Sequence, residues 1–82
     1  MSPVQVTLYA KPGCHLCDDA ARALNQLQQK LPHTLEIVDI STSTELMSVY
    51  GDRIPVVQVA GREYAAPLDR RILERALAET RP

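Results

Sequence analysis

The sequence predicts an α/β fold, and three observations lead to this prediction. Residues 4–9 alternate apolar and polar side chains, which is the period of a strand. From Cys14 onward the apolar residues recur at spacings of three and four, which is the period of an amphipathic helix. Residues 34–40 are rich in β-branched side chains and predict a second strand. The order strand, helix, strand predicts a right-handed crossover between two parallel strands.

The first helix should end at Pro32, which cannot continue a helix. Its predicted inward stripe consists of Leu16, Ala20, Leu24, Leu27 and Leu31. A short second helix follows, because Thr42 and Glu45 have the spacing of a capping box and Gly51 suits a helix end. His33, beside Pro32, is expected on the surface.

The last third of the chain predicts a hairpin and a final helix. Residues 56–59 and 62–64 have the composition of strands, and Ala60-Gly61 between them suits a tight turn. The last helix should cover 67–79, with Pro67 in its first turn and an inward stripe made of Leu68, Ile72, Leu73, Ala76 and Leu77. The predicted order is β-α-β-α-β-β-α, with a four-stranded mixed sheet flanked by helices.

Length and charge limit the classes of function. The 82 residues fit one small domain, so residues 1–82 are expected to form a single unit. Lys and Arg number 9 against 10 Asp and Glu, and three Tyr are the only aromatic rings, which argues against nucleic acid as a partner. No stretch has the length of a membrane span or the pattern of a signal peptide. We therefore expect a cytoplasmic protein without a membrane partner.

The most informative segment is Cys14-His15-Leu16-Cys17, because this cysteine spacing is typical of redox and metal sites. A thiolate attacks disulfides and a thiol hardly does. At a helix start, unpaired N–H groups and the macrodipole stabilise an anion, so the pKa of Cys14 should be lowered. Lys11 and a protonated His15 would favour the thiolate further, and Asp18 would oppose it.

Three residues along a helix make about one turn, so Cys17 should lie on the same face as Cys14 and within disulfide reach. Cys14 would then be the nucleophile that forms a mixed disulfide, and Cys17 the resolving thiol that releases the product. Two buried cysteines without redox chemistry are the alternative. His15 could equally be an exposed polar residue at the helix start.

The chain resembles the thioredoxin fold, and within it the short bacterial glutaredoxin-like proteins. The resemblance spans nearly all residues and is carried by the element order, by residues 8–20 around the cysteines and by Arg53-Ile54-Pro55-Val56. It implies a thiol-disulfide oxidoreductase, monomeric and without a tightly bound cofactor. Protein disulfides or glutathione would be its partners, and a cytosolic reductase or glutathione its source of electrons.

The resemblance also implies a substrate site. Ile54 and a cis Pro55 would face the cysteines and pair with the substrate backbone, although a proline can also simply open a strand. Lys11 and Arg53 could pair with a substrate carboxylate or be solvated surface charges, and Asp69 could meet the amine of glutathione. Ala65-Ala66-Pro67 stands where glutathione-binding relatives usually have Gly-Gly, which would narrow that groove and remove an N–H donor.

Two other classes of function remain open from the sequence. The cysteines could bind a metal ion or an iron-sulfur cluster, but the chain holds no further Cys, so the other ligands would come from His, carboxylates, glutathione or a second chain. The domain could also be a non-catalytic adaptor that binds a partner beside Pro55.

Overall fold

A computed structural model describes residues 4–79 of the chain as a sheet between two layers of helices. Within this range the element order is the predicted one, with one added 3₁₀ turn at Ile40–Thr42. The elements are β1 Val4–Ala10, α1 His15–Leu27, β2 His33–Asp39, α2 Thr44–Tyr50, β3 Val56–Val59, β4 Arg62–Ala65 and α3 Arg70–Glu79.

The four strands of residues 4–79 form one mixed sheet in the order β2-β1-β3-β4. β1 and β2 are parallel, as the strand-helix-strand prediction requires, and β3 is antiparallel to both β1 and β4. The turn between β3 and β4 is the predicted two-residue hairpin. Ala60 and Gly61 have φ values of 50° and 84°, and positive φ at both central residues matches the twist of hairpin strands.

Apolar side chains on the two faces of the sheet form two clusters. On one face, side chains of β1 and β3 pack against α1 and α3, and the fully buried members include Val6, Leu8, Leu24, Val57 and Leu73. On the other face, α2 packs its Tyr50 against Val56 and Ile40. Ile54 contacts both clusters, so the segment before β3 is anchored from both sides.

α1 begins at the cysteines as predicted, with Cys14 as its N-cap, but its buried stripe and its last turn differ from the prediction. Its buried stripe begins with Cys17, and Leu16 is 60% exposed because it lies about 100° around the helix from Cys17. The helix ends at Leu27, and a turn over residues 28–30 replaces its last predicted turn. The prediction that Leu16 faces the core is therefore wrong.

His33 is buried, with 6% of its surface exposed, and the prediction of a surface residue is wrong. Its ring Nδ1 lies 2.8 Å from the carbonyl oxygen of Leu31, and its backbone N–H donates to Gln28 Oε1 at 3.1 Å. These two contacts hold the start of β2 against the turn that follows α1.

The caps of α2 and α3 also differ from the predicted ones. Ser43, and not Thr42, caps α2, because its Oγ accepts from the N–H of Leu46 at 3.2 Å. Thr42 belongs to the 3₁₀ turn and donates its hydroxyl to the carbonyl of Asp39. α3 starts at Arg70 and not at Pro67, because Asp69 Oδ1 accepts from the N–H of Ile72 at 2.9 Å.

Ile72, predicted on the inward stripe of α3, is exposed in the structure. Leu73, Ala76 and Leu77 are the buried residues of that helix. Four of the five predicted apolar residues therefore contact the core, three from the helix and Leu68 from the preceding loop.

Candidate redox site

The sheet topology brings the loops that carry the predicted site to one edge. Ala10, at the end of β1, lies opposite Asp39 at the end of β2. Tyr9 lies opposite Val56 at the start of β3, and Val56 lies opposite Ala65 at the end of β4. The segments that hold the two cysteines, Pro55 and Asp69 therefore all leave the sheet at the same edge.

A tight turn connects β1 to the cysteines. The N–H of Cys14 bonds to the carbonyl of Lys11 at 3.4 Å, and Gly13 has a φ of 83°. A positive φ at the third residue with proline at the second is typical of a type II turn, so Pro12 and Gly13 suit these two positions. This turn sets Cys14 directly before the first residue of α1.

Cys14 is the N-cap of α1, and its sulfur takes the place of a capping oxygen. Cys14 Sγ accepts from the N–H of Cys17 at 3.1 Å, while the carbonyl of Cys14 accepts from the N–H of Asp18 at 3.1 Å. The two sulfurs lie at disulfide distance, and the two Cα atoms are 5.2 Å apart. The sulfur of Cys14 thus sits among the unpaired N–H groups of the helix start, where a thiolate is stabilised.

Cys17 differs sharply from Cys14 in accessibility. Its side chain is 3% exposed and belongs to the core cluster between the sheet and α1, whereas Cys14 is only partly buried. Cys17 also lines a cavity of about 230 Å³, together with Leu8, Ala10, Lys11, Pro12, Asp18, Ala21, Ile37 and Asp39. A substrate sulfur can therefore reach Cys14 first.

Lys11 and His15, which lie beside the cysteines in the sequence, are exposed. Among residues 4–79, neither the side chain of Lys11 nor that of His15 makes a hydrogen bond or an ion pair. Asp39 accepts hydrogen bonds from the hydroxyl and the N–H of Ser41, and these bonds lower the pKa of its carboxyl. Leu16 adds an exposed apolar surface between the cysteines.

The Ile54–Pro55 peptide is cis, as the resemblance implies, and Pro55 is fully buried. The N–H of Ile54 donates to the carbonyl of Tyr50 at 3.2 Å, and the carbonyl of Pro55 accepts from Ala66 at 3.1 Å. These two bonds tie the segment to α2 on one side and to the end of β4 on the other. The Ala66–Pro67 peptide is cis as well.

Arg53 and Asp69 both have intramolecular partners. Arg53 Nη2 lies 3.6 Å from Glu63 Oε1, and the guanidinium lies over the ring of Tyr50, 5.7 Å from its centroid. Asp69 uses one carboxylate oxygen as the cap of α3. A substrate would have to share these groups with their present partners.

Three residues near the site were not identified from the sequence. Tyr50 stacks on Tyr9 with ring centroids 4.2 Å apart, and its hydroxyl donates to Glu63 Oε2 at 2.5 Å. This hydrogen bond, followed by burial, raises the pKa of Tyr50 far above its usual range, so the hydroxyl remains a donor. One feature of the sequence pointed to the two tyrosines. A chain with three Tyr and no Phe or Trp should use each aromatic ring in packing.

A metal site was the second hypothesis from the sequence. Residues 4–79 bring no three His, Cys, Asp or Glu side chains together in a group that could hold a metal ion.

Over the same range no helix combines the length and the apolar character needed to cross a bilayer.

Comparison with known proteins identifies the family. Residues 5–80 match the family model described as "Glutaredoxin-like domain (DUF836)". The chain belongs to this family. Uncharacterized proteins of Mycobacterium tuberculosis and Mycobacterium bovis are 33% identical to the chain over 70 residues, which cover 79% of this chain and 72% of theirs.

Several solved structures have a fold similar to that of this chain. A structural genomics target protein from X. campestris is 38% identical, with a TM-score of 0.78 over 94% of this glutaredoxin-like chain and 99% of its own. Protein Ne2328 from Nitrosomonas europaea is 29% identical, with a TM-score of 0.76 over 92% of each chain. A mutant thioredoxin from Halobacterium salinarum, at 19% identity and a TM-score of 0.72 over 95% of this chain and 74% of its own, shares the fold.

The glutaredoxin-like family, the thioredoxin fold and a cysteine pair at disulfide distance together support a redox-type function. The prediction of a short glutaredoxin-like protein with a thioredoxin-like fold is confirmed.

Proposed function

We propose that this protein is a thiol-disulfide oxidoreductase that reduces protein disulfides or mixed disulfides, with Cys14 as nucleophile and Cys17 as resolving thiol. One observation carries the proposal. The sulfur of Cys14 caps α1 and accepts the N–H of Cys17, while Cys17 lies in the core at disulfide distance. Cys14 is therefore more accessible than Cys17, and the two sulfur atoms are close enough to bond to each other.

In the first step the Cys14 thiolate attacks one sulfur of the substrate disulfide. A Cys14–substrate disulfide forms, the substrate S–S bond breaks, and the departing thiolate takes a proton from water. The helix start stabilises the attacking charge through its N–H groups.

In the second step Cys17 attacks the sulfur of Cys14, and its proton passes through water to the departing substrate sulfur. The Cys14–Cys17 bond forms and the second substrate thiolate leaves, so two electrons have passed from the dithiol to the substrate. Because the Cα atoms are 5.2 Å apart, this ring closes without movement of the backbone. Glutathione or a cytosolic reductase would return the protein to the dithiol, without a resident cofactor.

Substrate recognition belongs to the same proposal. Since the N–H of Ile54 is engaged by Tyr50, we assign the carbonyl of Ile54 to backbone pairing with the substrate. Lys11 and Arg53 would attract substrate carboxylates, His15 would tune the thiolate of Cys14, and Asp69 would meet an ammonium group. The cytoplasm, where thiols are kept reduced, suits a monomeric protein that works as a reductant.

The test is a single turnover of the pre-reduced protein with a protein disulfide such as insulin, stopped by alkylation and read by mass. Wild type should end as the Cys14–Cys17 disulfide. Cys14→Ser should lose the reaction, and Cys17→Ser should accumulate a mixed disulfide with the substrate. Full activity of Cys14→Ser would overturn the mechanism.

The reduction potential of the pair gives an independent measurement. Equilibration in glutathione buffers should give a value of about -200 to -270 mV, the range of glutaredoxins and thioredoxin. A pair that stays reduced in every buffer would contradict turnover as an oxidoreductase.

A further inference from the structure

Two backbone hydrogen bonds of the segment that precedes β3 end on one residue, Tyr50. The carbonyl of Tyr50 accepts two backbone hydrogen bonds, from the N–H of Arg53 at 2.8 Å and from that of Ile54 at 3.2 Å. Any displacement of Tyr50 is therefore transmitted directly to residues 53–55, which lie at the same sheet edge as the cysteines.

Tyr50 is itself fixed from two sides. Its ring is 8% exposed and stacks on Tyr9 of β1 at an interplanar angle of 14°. Its hydroxyl donates to Glu63 Oε2 of β4, 13 residues further along the chain. The ring stack alone would allow sliding in the plane of the rings, and the hydroxyl bond to a second strand removes that freedom.

Glu63 completes a closed set of contacts around the segment. Its second oxygen, Oε1, lies 3.6 Å from Arg53 Nη2, and the guanidinium of Arg53 covers the Tyr50 ring. One carboxylate thus holds both the anchor Tyr50 and the first residue of the segment. Because Glu63 and Arg53 are exposed, the ion pair between them adds little stability, so the arrangement is better explained by positioning.

We propose that Tyr50 and Glu63 are positioning residues that hold residues 53–55 in the geometry that binds the backbone of a protein disulfide. This inference rests on the proposed function. Backbone pairing requires the carbonyl of Ile54 to point at the substrate chain within a few tenths of an ångström, which a supporting shell of side chains must secure. A small disulfide without a peptide chain makes no such pairing and needs only the sulfur of Cys14.

The experiment compares two oxidants in single turnovers of the pre-reduced, full-length chain. Insulin serves as the protein disulfide and 2-hydroxyethyl disulfide as the small one. The variants are Tyr50→Phe, which keeps the ring and removes the hydroxyl; Glu63→Ala, which removes both contacts of the carboxylate; and Glu63→Gln, which keeps an acceptor for the hydroxyl but not the ion pair. Glu74→Gln, which breaks the exposed Lys30–Glu74 pair, is the matched control.

Loss of the Tyr50–Glu63 hydrogen bond should raise the half-saturating insulin concentration about threefold to tenfold in Tyr50→Phe and Glu63→Ala, the effect of an ordinary side-chain hydrogen bond. The limiting rate and the reaction with 2-hydroxyethyl disulfide should not change. Glu63→Gln should recover most of the wild-type value, and Glu74→Gln all of it.

The contrary outcomes separate the two proposals. If neither disulfide oxidises the reduced wild-type protein, the proposed function is overturned. Wild type that reacts normally, with both Tyr50→Phe and Glu63→Ala unchanged toward insulin, overturns the positioning role. Equal loss with both oxidants also overturns it, because that result would indicate damage to the cysteines. Should one variant fail to fold, the remaining two still decide the question.

Discussion

At the scale of single residues, the chemistry depends on how the chain turns from β1 into α1. The turn at residues 11–14 delivers Cys14 to the helix start, where its sulfur can accept the N–H of Cys17. Gly13 has a φ of 83°, a backbone conformation that residues other than glycine adopt only at a cost in free energy. The backbone conformation of one glycine therefore decides where the sulfur of Cys14 lies.

We expect Gly13→Ala to lower the free energy of unfolding by about 1–2 kcal/mol, since its added Cβ has open space but the wrong φ. Gly61→Ala in the hairpin is the matched control, with a φ of 84° and equal space. Both variants should lose similar stability in urea denaturation. Only Gly13→Ala should also change the alkylation rate of Cys14, and an equal rate in both variants would contradict the role of the turn.

At the scale of elements, the types and order of the strands and helices were predictable, because the apolar periodicity switches between two and 3.6 residues along the chain. The end of α1 and the starts of α2 and α3 were not. Thr42 and Ser43 are equally good caps by residue type, and only the 3₁₀ turn that engages Thr42 leaves Ser43 to cap α2. Leu16 fits the helical period as well as Cys17 does, and the position of the sheet decides which of them is buried.

The cap of α3 leads to a prediction about Asp69. Asp69→Ala should lower the free energy of unfolding by about 1 kcal/mol, and Asp69→Asn should stay close to wild type, because Asn caps as well as Asp. If Asp69 also meets the ammonium group of glutathione, Asp69→Asn should weaken the reaction with a glutathione mixed disulfide. Urea denaturation and single-turnover rates measure the two effects separately, and a destabilised Asp69→Asn would contradict the capping role.

At the scale of the whole molecule, the site exists because the ends of β1, β2 and β4 and the start of β3 share one edge. The sequence could predict the cysteine pair, since both residues lie on one short segment. It could not predict the contacts of Tyr50 with Tyr9 and Glu63, because these join residues of three different elements. Those contacts follow from strand register, which local periodicity does not report.

The small core gives the molecule little reserve of stability, since domains of this kind unfold at a cost of about 5–15 kcal/mol. Leu24→Ala removes a fully buried side chain of α1 and should cost about 2–5 kcal/mol. Leu16→Ala, on the exposed side of the same helix, should cost less than about 0.5 kcal/mol. Urea denaturation of the reduced proteins checks both values, and similar losses would contradict the burial of the two residues.

The burial of Cys17 directly behind Cys14 has a consequence for oxidative damage. Peroxide that reaches the partly buried sulfur of Cys14 would convert its thiolate to a sulfenic acid, which a second peroxide would carry on to an irreversible sulfinic acid. Here a shielded thiol stands within bonding reach of that sulfenic acid, and the two condense to a disulfide with loss of water. We therefore expect the core position of Cys17 to make a single oxidation event end in a disulfide, which thiol-disulfide exchange can reverse.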